Sequence, residues 1–492
     1  MSRSLYAILQ RRFGQAADAT SRREFLRASA AAGAALLLSN QALAAARGAA
    51  PKRVVVVGAG FGGLACAHEL RAAGYDVTLV EARDRVGGRV LSFNDFIPGR
   101  TVEGGAELVG SNHPTWVAYA EKFGLKFWDV TENEDLETPI ILGGKRLSVD
   151  ESNRLWLEMD EAFQRMNADA AAVVEDEPWK TPDAATLDGR STAEWLKSLS
   201  LSELGRSGVS AQLVADNGQS LEKQSYLGNL SQVKGGGLEK YWTDSEVYRC
   251  AGGNQQLATK LAEAVGRDRV VLKLPVVGIT LRDGGCVVKC ADGRTIECDD
   301  VVLAVPPSTW SKIKIDPPLP AVLAPQMGVN VKYLSHVKKR FWLGGEANPL
   351  ALLDGDLGWI WESTDAQEGD EPAGLTAFSG GPGAGATLQY PKEQRDERYK
   401  AAIDAIFPGY KDNWVAARYM DWPREQWTMG GYSFPAPGEI SKLGPLLHAG
   451  HAKRLHFVGE HTCYKFVGYM EGGLNSGASL ARRLAKRDGV GG

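Results

Sequence analysis

Residues 53–81 change hydrophobic period twice. Arg53-Val54-Val55-Val56-Val57 is an unbroken β-branched run, the pattern of a strand buried on both faces. Gly58-Ala59-Gly60-Phe61-Gly62-Gly63 follows at once, residues 64–73 have helical composition, and Gly74 ends the helix. Tyr75-Asp76-Val77-Thr78-Leu79-Val80 then predicts a second strand, closed by Glu81. Further on, Asn254-Gln255-Gln256-Leu257 after Gly252-Gly253 starts a helix, and residues 270–280 and 285–289 predict strands. Val301-Val302-Leu303-Ala304-Val305-Pro306-Pro307 predicts a buried strand stopped by prolines. Leu455-His456-Phe457-Val458-Gly459-Glu460 predicts a short strand, and a helix opens at Gly468-Tyr469-Met470-Glu471-Gly472-Gly473 and runs to about Lys486. Residues 114–245 are mostly helical in pattern. Residues 313–443 are mixed and hold six of the 13 tryptophans; 365–371 and 380–385 predict loops, and no internal repeat is evident.

A strand–turn–helix–strand unit with G-x-G-x-x-G at the first turn binds dinucleotides, and each residue type has its reason. Gly58 permits the tight turn, Gly60 lets backbone approach a pyrophosphate, and Gly63 lets the helix pack on the strand. The helix N-terminus directs free N–H groups and a positive dipole end at the phosphates. Glu81 is placed to accept hydrogen bonds from the adenosine ribose. The unit continues as Glu81-Ala82-Arg83-Asp84-Arg85-Val86-Gly87-Gly88-Arg89. A guanidinium and a glycine pair beside the pyrophosphate suit an enclosed cofactor and favour FAD over NAD.

Composition narrows the class. A length of 492 residues exceeds one ordinary core and predicts two domains. With 44% hydrophobic and 24% charged residues the balance is that of a soluble globular protein. The formal net charge is −4 without a long basic run, so nucleic acid is not an expected partner. Cys286 and Cys290 do not have zinc spacing, and no metal is expected. The six cysteines read as buried or free thiols, with one disulfide left open.

The N-terminus predicts an address. Ser21-Arg22-Arg23-Glu24-Phe25-Leu26-Arg27 precedes a short alanine-rich apolar stretch and the small-x-small triplet Ala42-Leu43-Ala44. Paired arginines in this setting predict a twin-arginine signal over residues 1–46, engagement of the twin-arginine translocation machinery, and a periplasmic or secreted destination. The apolar stretch is too short to span a bilayer. Residues 1–46 are therefore set aside from the fold.

The string Glu81 to Arg89 resembles the E-A-R-x-R-x-G-G-R signature of the flavin amine oxidases, the monoamine, polyamine and L-amino-acid oxidase superfamily. Gly459-Glu460-His461-Thr462 with Gly468-Tyr469-Met470-Glu471-Gly472 resembles that family's second flavin motif. The resemblance covers about 435 residues; its terminal motifs are specific and its middle is not. It implies an α/β protein in which a Rossmann-like FAD-binding domain (50–110, 247–312 and 444–486) joins a second α+β substrate domain (114–245 and 313–443). It also implies that Glu460 binds the ribityl chain, that Val276 meets the adenine ring, and that the Met470 N–H faces the pyrimidine end of the flavin, where a helix N-terminus stabilises negative charge.

For chemistry, the resemblance implies that Lys332 holds a water near flavin N5 and that Tyr432 and Tyr469 flank the substrate nitrogen. An outward lysine and simple core packing are the competing readings. Where some members tether flavin through a cysteine this chain has Gly431, so FAD is expected to be non-covalent. No arginine follows Arg89 in Val90-Leu91-Ser92-Phe93-Asn94, which lowers an amino-acid substrate unless Arg424 or another arginine clamps its carboxylate. Glu107 has two readings, a site for a second substrate cation or a structural hydrogen bond; Trp427 is a further candidate for substrate contact. The implied reaction passes a hydride from the amine α-carbon to flavin; the imine hydrolyses to a carbonyl compound and ammonia, and molecular oxygen becomes hydrogen peroxide. The rivals are an L-amino-acid oxidase, a periplasmic amine dehydrogenase using a protein acceptor, a flavin-binding protein without turnover, and, poorly supported, a polyene desaturase. Oligomeric state is not encoded, and a homodimer stays open.

Overall fold

In the computed structural model, strand Arg53–Val57 lies at the centre of a five-stranded parallel sheet ordered Leu455–Phe457, Asp300–Leu303, Arg53–Val57, Asp76–Val80, Val270–Val271. Its valines are buried from Val54 onward, as a parallel strand covered on both faces requires. The structure describes residues 4–14, 31, 33, 34, 37, 51–131, 137–344 and 348–490. The arginine pair Arg22-Arg23 and the triplet Ala42-Leu43-Ala44 lie outside the described residues.

Helix Phe61–Ala72 leaves the central strand and packs against the C-terminal helix Met470–Arg487. The crossing is made of glycines. A Cβ added at Gly477 would stand 2.2 Å from the Gly62 carbonyl oxygen, so the two backbones touch where no side chain fits. A four-stranded sheet, ordered Thr295–Cys298, Gly285–Cys290, Val276–Arg282, Lys314–Asp316, lies beside this core. The single strand expected over 270–280 is in fact two, Val270–Val271 and Val276–Arg282. Between them Lys273 adopts a positive φ of 57°, and Pro275 has no N–H to continue a ladder. The Lys273 and Leu274 amides instead donate to the Arg83 and Glu81 carbonyls.

The other half is a seven-stranded sheet ordered Trp414–Met420, Asn330–Val337, Ala373–Gly380, Trp359–Glu362, Ala351–Leu353, Ile140–Leu142, Lys145–Arg146. A helical layer covers it, built on Val149–Ala170, Glu203–Asn217 and Tyr226–Gly235. Ser148 and Glu151 form a reciprocal capping box that starts the longest of these helices.

Two segments differ from the sequence expectation. Residues expected as a loop over 380–385 instead end a strand and form the helix Gly381–Thr387. Pro382 occupies its first turn, where a missing N–H costs nothing, and the Gly381 amide donates to the Val329 carbonyl. Residues 4–14, set aside as part of an address, form the helix Leu5–Phe13, whose Leu5, Tyr6, Ile8 and Leu9 are buried in the core of the helical layer. All six cysteines are free and buried. Among the described residues no helix is long and apolar enough to cross a membrane, and no cluster could hold a metal.

Candidate active site

Two helix N-termini converge on one long cavity. Helix Phe61–Ala72 starts after Gly60 and helix Met470–Arg487 after Tyr469; neither has a side-chain cap, so their first N–H groups are left for a ligand. Gly58 turns the chain with φ of 107°. A Cβ added at Gly60 would meet nothing within 4 Å, because the position faces the cavity, whereas one at Gly63 would stand 1.9 Å from the Gly58 carbonyl oxygen. Gly63 thus serves the packing of helix on strand, while Gly58 and Gly60 line the cavity.

Acid and arginine positions are locked at both ends. The Ala59 and Arg83 amides donate to the two Glu81 oxygens at 2.7 and 2.8 Å, fixing the carboxylate at the cavity edge. Ala82, Arg83, Gly88, Arg89 and Val276 line the same space. The Arg85 guanidinium donates to the Gly88 carbonyl at 2.8 Å and holds the glycine turn. Arg89 donates to Glu460 at 2.8 Å and to the Gly431 carbonyl at 2.7 Å. Burial alone would raise the Glu460 carboxyl, but Arg89, His461 and the Ser433 hydroxyl keep it below its ordinary range.

Lys332 projects from strand Asn330–Val337 and is buried. Its Nζ lies 2.6 Å from Glu107 Oε2 and 5.3 Å from the centre of the Trp361 ring. The other Glu107 oxygen accepts from Arg249 Nε at 2.7 Å and Trp361 Nε1 at 2.9 Å. Burial opposes the Glu107 charge, yet Lys332 and Arg249 hold its carboxyl down at about 2. Arg249 is taken in turn by Asp365 and the Glu362 carbonyl. Glu103 is also buried, and desolvation raises its carboxyl to about 7 despite hydrogen bonds from the Asn254 amide and Ser92.

Tyr432 and Tyr469 line the cavity with Lys332 and Phe378. The Tyr432 hydroxyl donates to the Ala215 carbonyl at 2.7 Å, and the Tyr469 hydroxyl lies 3.5 Å from that of Tyr241. Burial pushes both phenols well above their ordinary range, so both stay neutral.

The placement bears on three of the candidates. Glu107 already has three donors, which favours the structural reading over a site for a substrate cation. Trp427 lines the cavity at the Arg83 end: Arg83 bonds Glu425 and Thr428, and Lys312 lies 5.1 Å from the Trp427 ring centre. Arg424 is exposed, outside the cavity, and bonded to Asp421 and the Leu388 carbonyl. Sequence reasoning missed Arg249, Trp361 and Glu103. A lone arginine within Val247-Tyr248-Arg249-Cys250 was the available signal, since a charge in an apolar strand needs a buried partner.

The family model described as flavin containing amine oxidoreductase matches residues 61–485. This chain belongs to that family. Among its relatives, an L-amino acid dehydrogenase of Synechocystis sp. is 24% identical over 451 residues, covering 87% of this chain and 94% of the relative. Human amine oxidase [flavin-containing] B is 26% identical, covering 88% of this chain and 85% of the relative. A putrescine oxidase solved with putrescine bound superposes with a TM-score of 0.80 at 26% identity, covering 89% of this chain and 100% of that one. Cyclohexylamine oxidase from Brevibacterium oxydans superposes with a TM-score of 0.79 at 24% identity, over 89% and 100% of the two chains, and shares the fold.

The oxidoreductase therefore uses FAD, and the cavity suits it. Two uncapped helix N-termini, an open glycine between them and a fixed acid at the strand end are the groups that would hold its pyrophosphate and ribose. Among the described residues no cysteine lines the cavity, in keeping with non-covalent binding.

Proposed function

We propose that this oxidoreductase oxidises the carbon–nitrogen bond of an amine with molecular oxygen. A primary amine, oxygen and water give an aldehyde, ammonia and hydrogen peroxide. The observation that carries the amine reading is the polarity of the aromatic end. Tyr432, Tyr469 and Phe378 line it, and among the described residues the nearby arginines are already engaged rather than left to clamp a carboxylate: Arg249 is bonded to Glu107 and Asp365, and Arg89 to Glu460.

When bound, FAD supplies the acceptor for the hydride. The chain's own residues do the rest. Tyr432 and Tyr469 present neutral ring faces to the amine nitrogen, orienting it and excluding water. Lys332, held by Glu107, keeps a proton and a water at the cavity wall for the return of electrons to oxygen. The N-terminus of helix Met470–Arg487 stabilises negative charge that develops on its ligand.

Anaerobic mixing with panels of amines and L-amino acids tests this. The proposal expects amines to bleach the flavin absorbance near 450 nm (a general property of oxidised flavin), and air to restore it with one peroxide per turnover. Bleaching by L-amino acids alone moves the assignment to an L-amino-acid oxidase, colour that returns only with an added electron acceptor moves it to an amine dehydrogenase, and both outcomes together move it to an amino-acid dehydrogenase, the activity of the Synechocystis relative. Export on the twin-arginine route is part of the same proposal, supported by Arg22-Arg23 and the alanine-rich stretch after it. Fractionation of a cell producing the tagged chain, with Arg22-Arg23 changed to Lys-Lys as control, tests it.

A further inference from the structure

The helix Leu5–Phe13 is packed as a core element although it stands ahead of the export motif. Tyr6 enters an aromatic cleft, with ring centres 5.0 Å from Trp156, 5.3 Å from Phe163 and 6.3 Å from Trp242. Its hydroxyl donates to Asp160 at 2.7 Å, and the Leu5 amide donates to Gln212 Oε1 at 2.6 Å. The helix roofs a second cavity, lined from the helix side by Ser4, Ala7 and Arg11 and elsewhere by Tyr241, Trp242 and Tyr469 together with polar residues that include Asp216 and Glu246. With the helix seated this space is about 20 Å³, room for roughly one water and not for an amine.

Tyr469 is a wall of both cavities. Of the three helices that grip the N-terminal segment, Val149–Ala170 supplies Trp156, Asp160 and Phe163, and the other two also carry the supports of the aromatic pair. Gln212 lies on Glu203–Asn217, whose Ala215 carbonyl holds the Tyr432 hydroxyl. Trp242 lies on Glu239–Asp244 beside Tyr241, the neighbour of Tyr469. Lifting the segment would expose a trough of mixed lining that ends at Tyr469, with the rings of Tyr241 and Trp242 beside Asp216 and Glu246. Such a trough suits an amine with an apolar arm, because carboxylates and ring faces attract the cationic head while the rings keep the arm out of water.

We propose that helix Leu5–Phe13 is a detachable lid on a second entrance to the active site, the entrance used by amines with an apolar arm. Cleavage after Ala42-Leu43-Ala44 separates the lid from the enzyme, so the precursor is latent and the processed chain is open. The choice of ligand rests on the amine reading above; the lid itself does not.

The test compares three FAD-loaded proteins: the full chain, the chain from residue 45 onward, and the full chain with Leu5→Asp and Ile8→Asp. One readout needs no substrate, the quenching of bound-flavin fluorescence by acrylamide. The other is anaerobic bleaching by benzylamine and by L-phenylalanine. The lid predicts at least tenfold faster benzylamine bleaching and greater quencher access in both altered proteins, with FAD content unchanged. A synthetic peptide of residues 4–14, added to the shortened chain, should reverse both. Rates and quenching within twofold of the full chain would overturn the proposal. Loss of FAD or of cooperative melting in both altered proteins would also overturn it, by making the helix a structural strut. Greater quencher access with no bleaching by any amine would keep the lid and remove the amine reading.

Discussion

Lys332 Nζ stands 2.6 Å from Glu107 Oε2, and Arg249 approaches the other oxygen of the same buried carboxylate at 2.7 Å. One acid thus serves two cations, of which Arg249 has a second carboxylate partner in Asp365. Removing Lys332 leaves Glu107 with a partner; removing Glu107 strands Lys332. Glu107→Leu should therefore cost about 3–5 kcal/mol, and Lys332→Met distinctly less. Urea unfolding of both variants decides it, and equal losses would contradict the shared-acid arrangement.

The same acid makes a signed prediction in pH. Its folded carboxyl sits at about 2, below the ordinary 4.5, so the unfolded chain binds the extra proton. The stability that Glu107 contributes is complete above about pH 4.5 and is lost as pH falls toward 2. Melting curves of the wild type and Glu107→Gln should converge as pH falls from 5 to 3, whereas a constant gap would sink the assignment.

Glu103 runs in the opposite sense. Its folded carboxyl at about 7 holds a proton that the unfolded chain has already released above 4.5. Stability therefore falls as pH rises from about 4.5 to 7, by up to ~3 kcal/mol for a shift of that size. Glu103→Gln, which keeps a neutral side chain at every pH, should melt higher than the wild type at pH 8 and close to it at pH 5. A variant no more stable at pH 8 would show that Glu103 is already neutralised by its neighbours.

Gly60 and Gly63 separate binding from folding. A Cβ at Gly60 points into empty cavity, and one at Gly63 collides with the Gly58 carbonyl. Gly60→Val should yield a folded protein that retains less than a tenth of its FAD. Gly63→Val should lower the yield of folded protein itself. Circular dichroism with a flavin absorbance ratio reads both, and a yellow Gly60→Val protein would refute the placement of the pyrophosphate.

At the aromatic end, Tyr432→Phe removes only the hydrogen bond to Ala215, a loss of about 1 kcal/mol. Its ring remains, so bleaching by amines should fall less than threefold. Tyr432→Ala should slow bleaching at saturating amine by more than tenfold. Similar rates in the two variants would assign the ring to packing alone.

The motifs carried by backbone were legible in the sequence, because a turn that needs Gly58 or a packed Gly63 allows few substitutes. So was the sheet around Val54–Val57, whose β-branched run has one stable burial. The charge network of Glu107, Lys332, Arg249 and Asp365 was not legible. Its members come from four separate elements and meet only through tertiary packing, which no local period reports. The break at Lys273 was hidden for a related reason: Val270 and Val276 share one strand-like pattern, and only pairing with the 81–83 backbone separates them. The seated helix Leu5–Phe13 was passed over because its sequence neighbours suggested an address rather than a core.

Gly62 and Gly477 touch across the helix crossing, although about 400 residues separate them in the sequence. A ribosome making this protein completes the first phosphate-binding turn long before the helix Met470–Arg487 that closes the cavity. Until that helix emerges, the early turn has half a binding site and no wall at Tyr469 or Met470. Cofactor capture is thereby scheduled after both halves have been made, and the flavin itself becomes a seal on an assembled cavity rather than a guide for its first half.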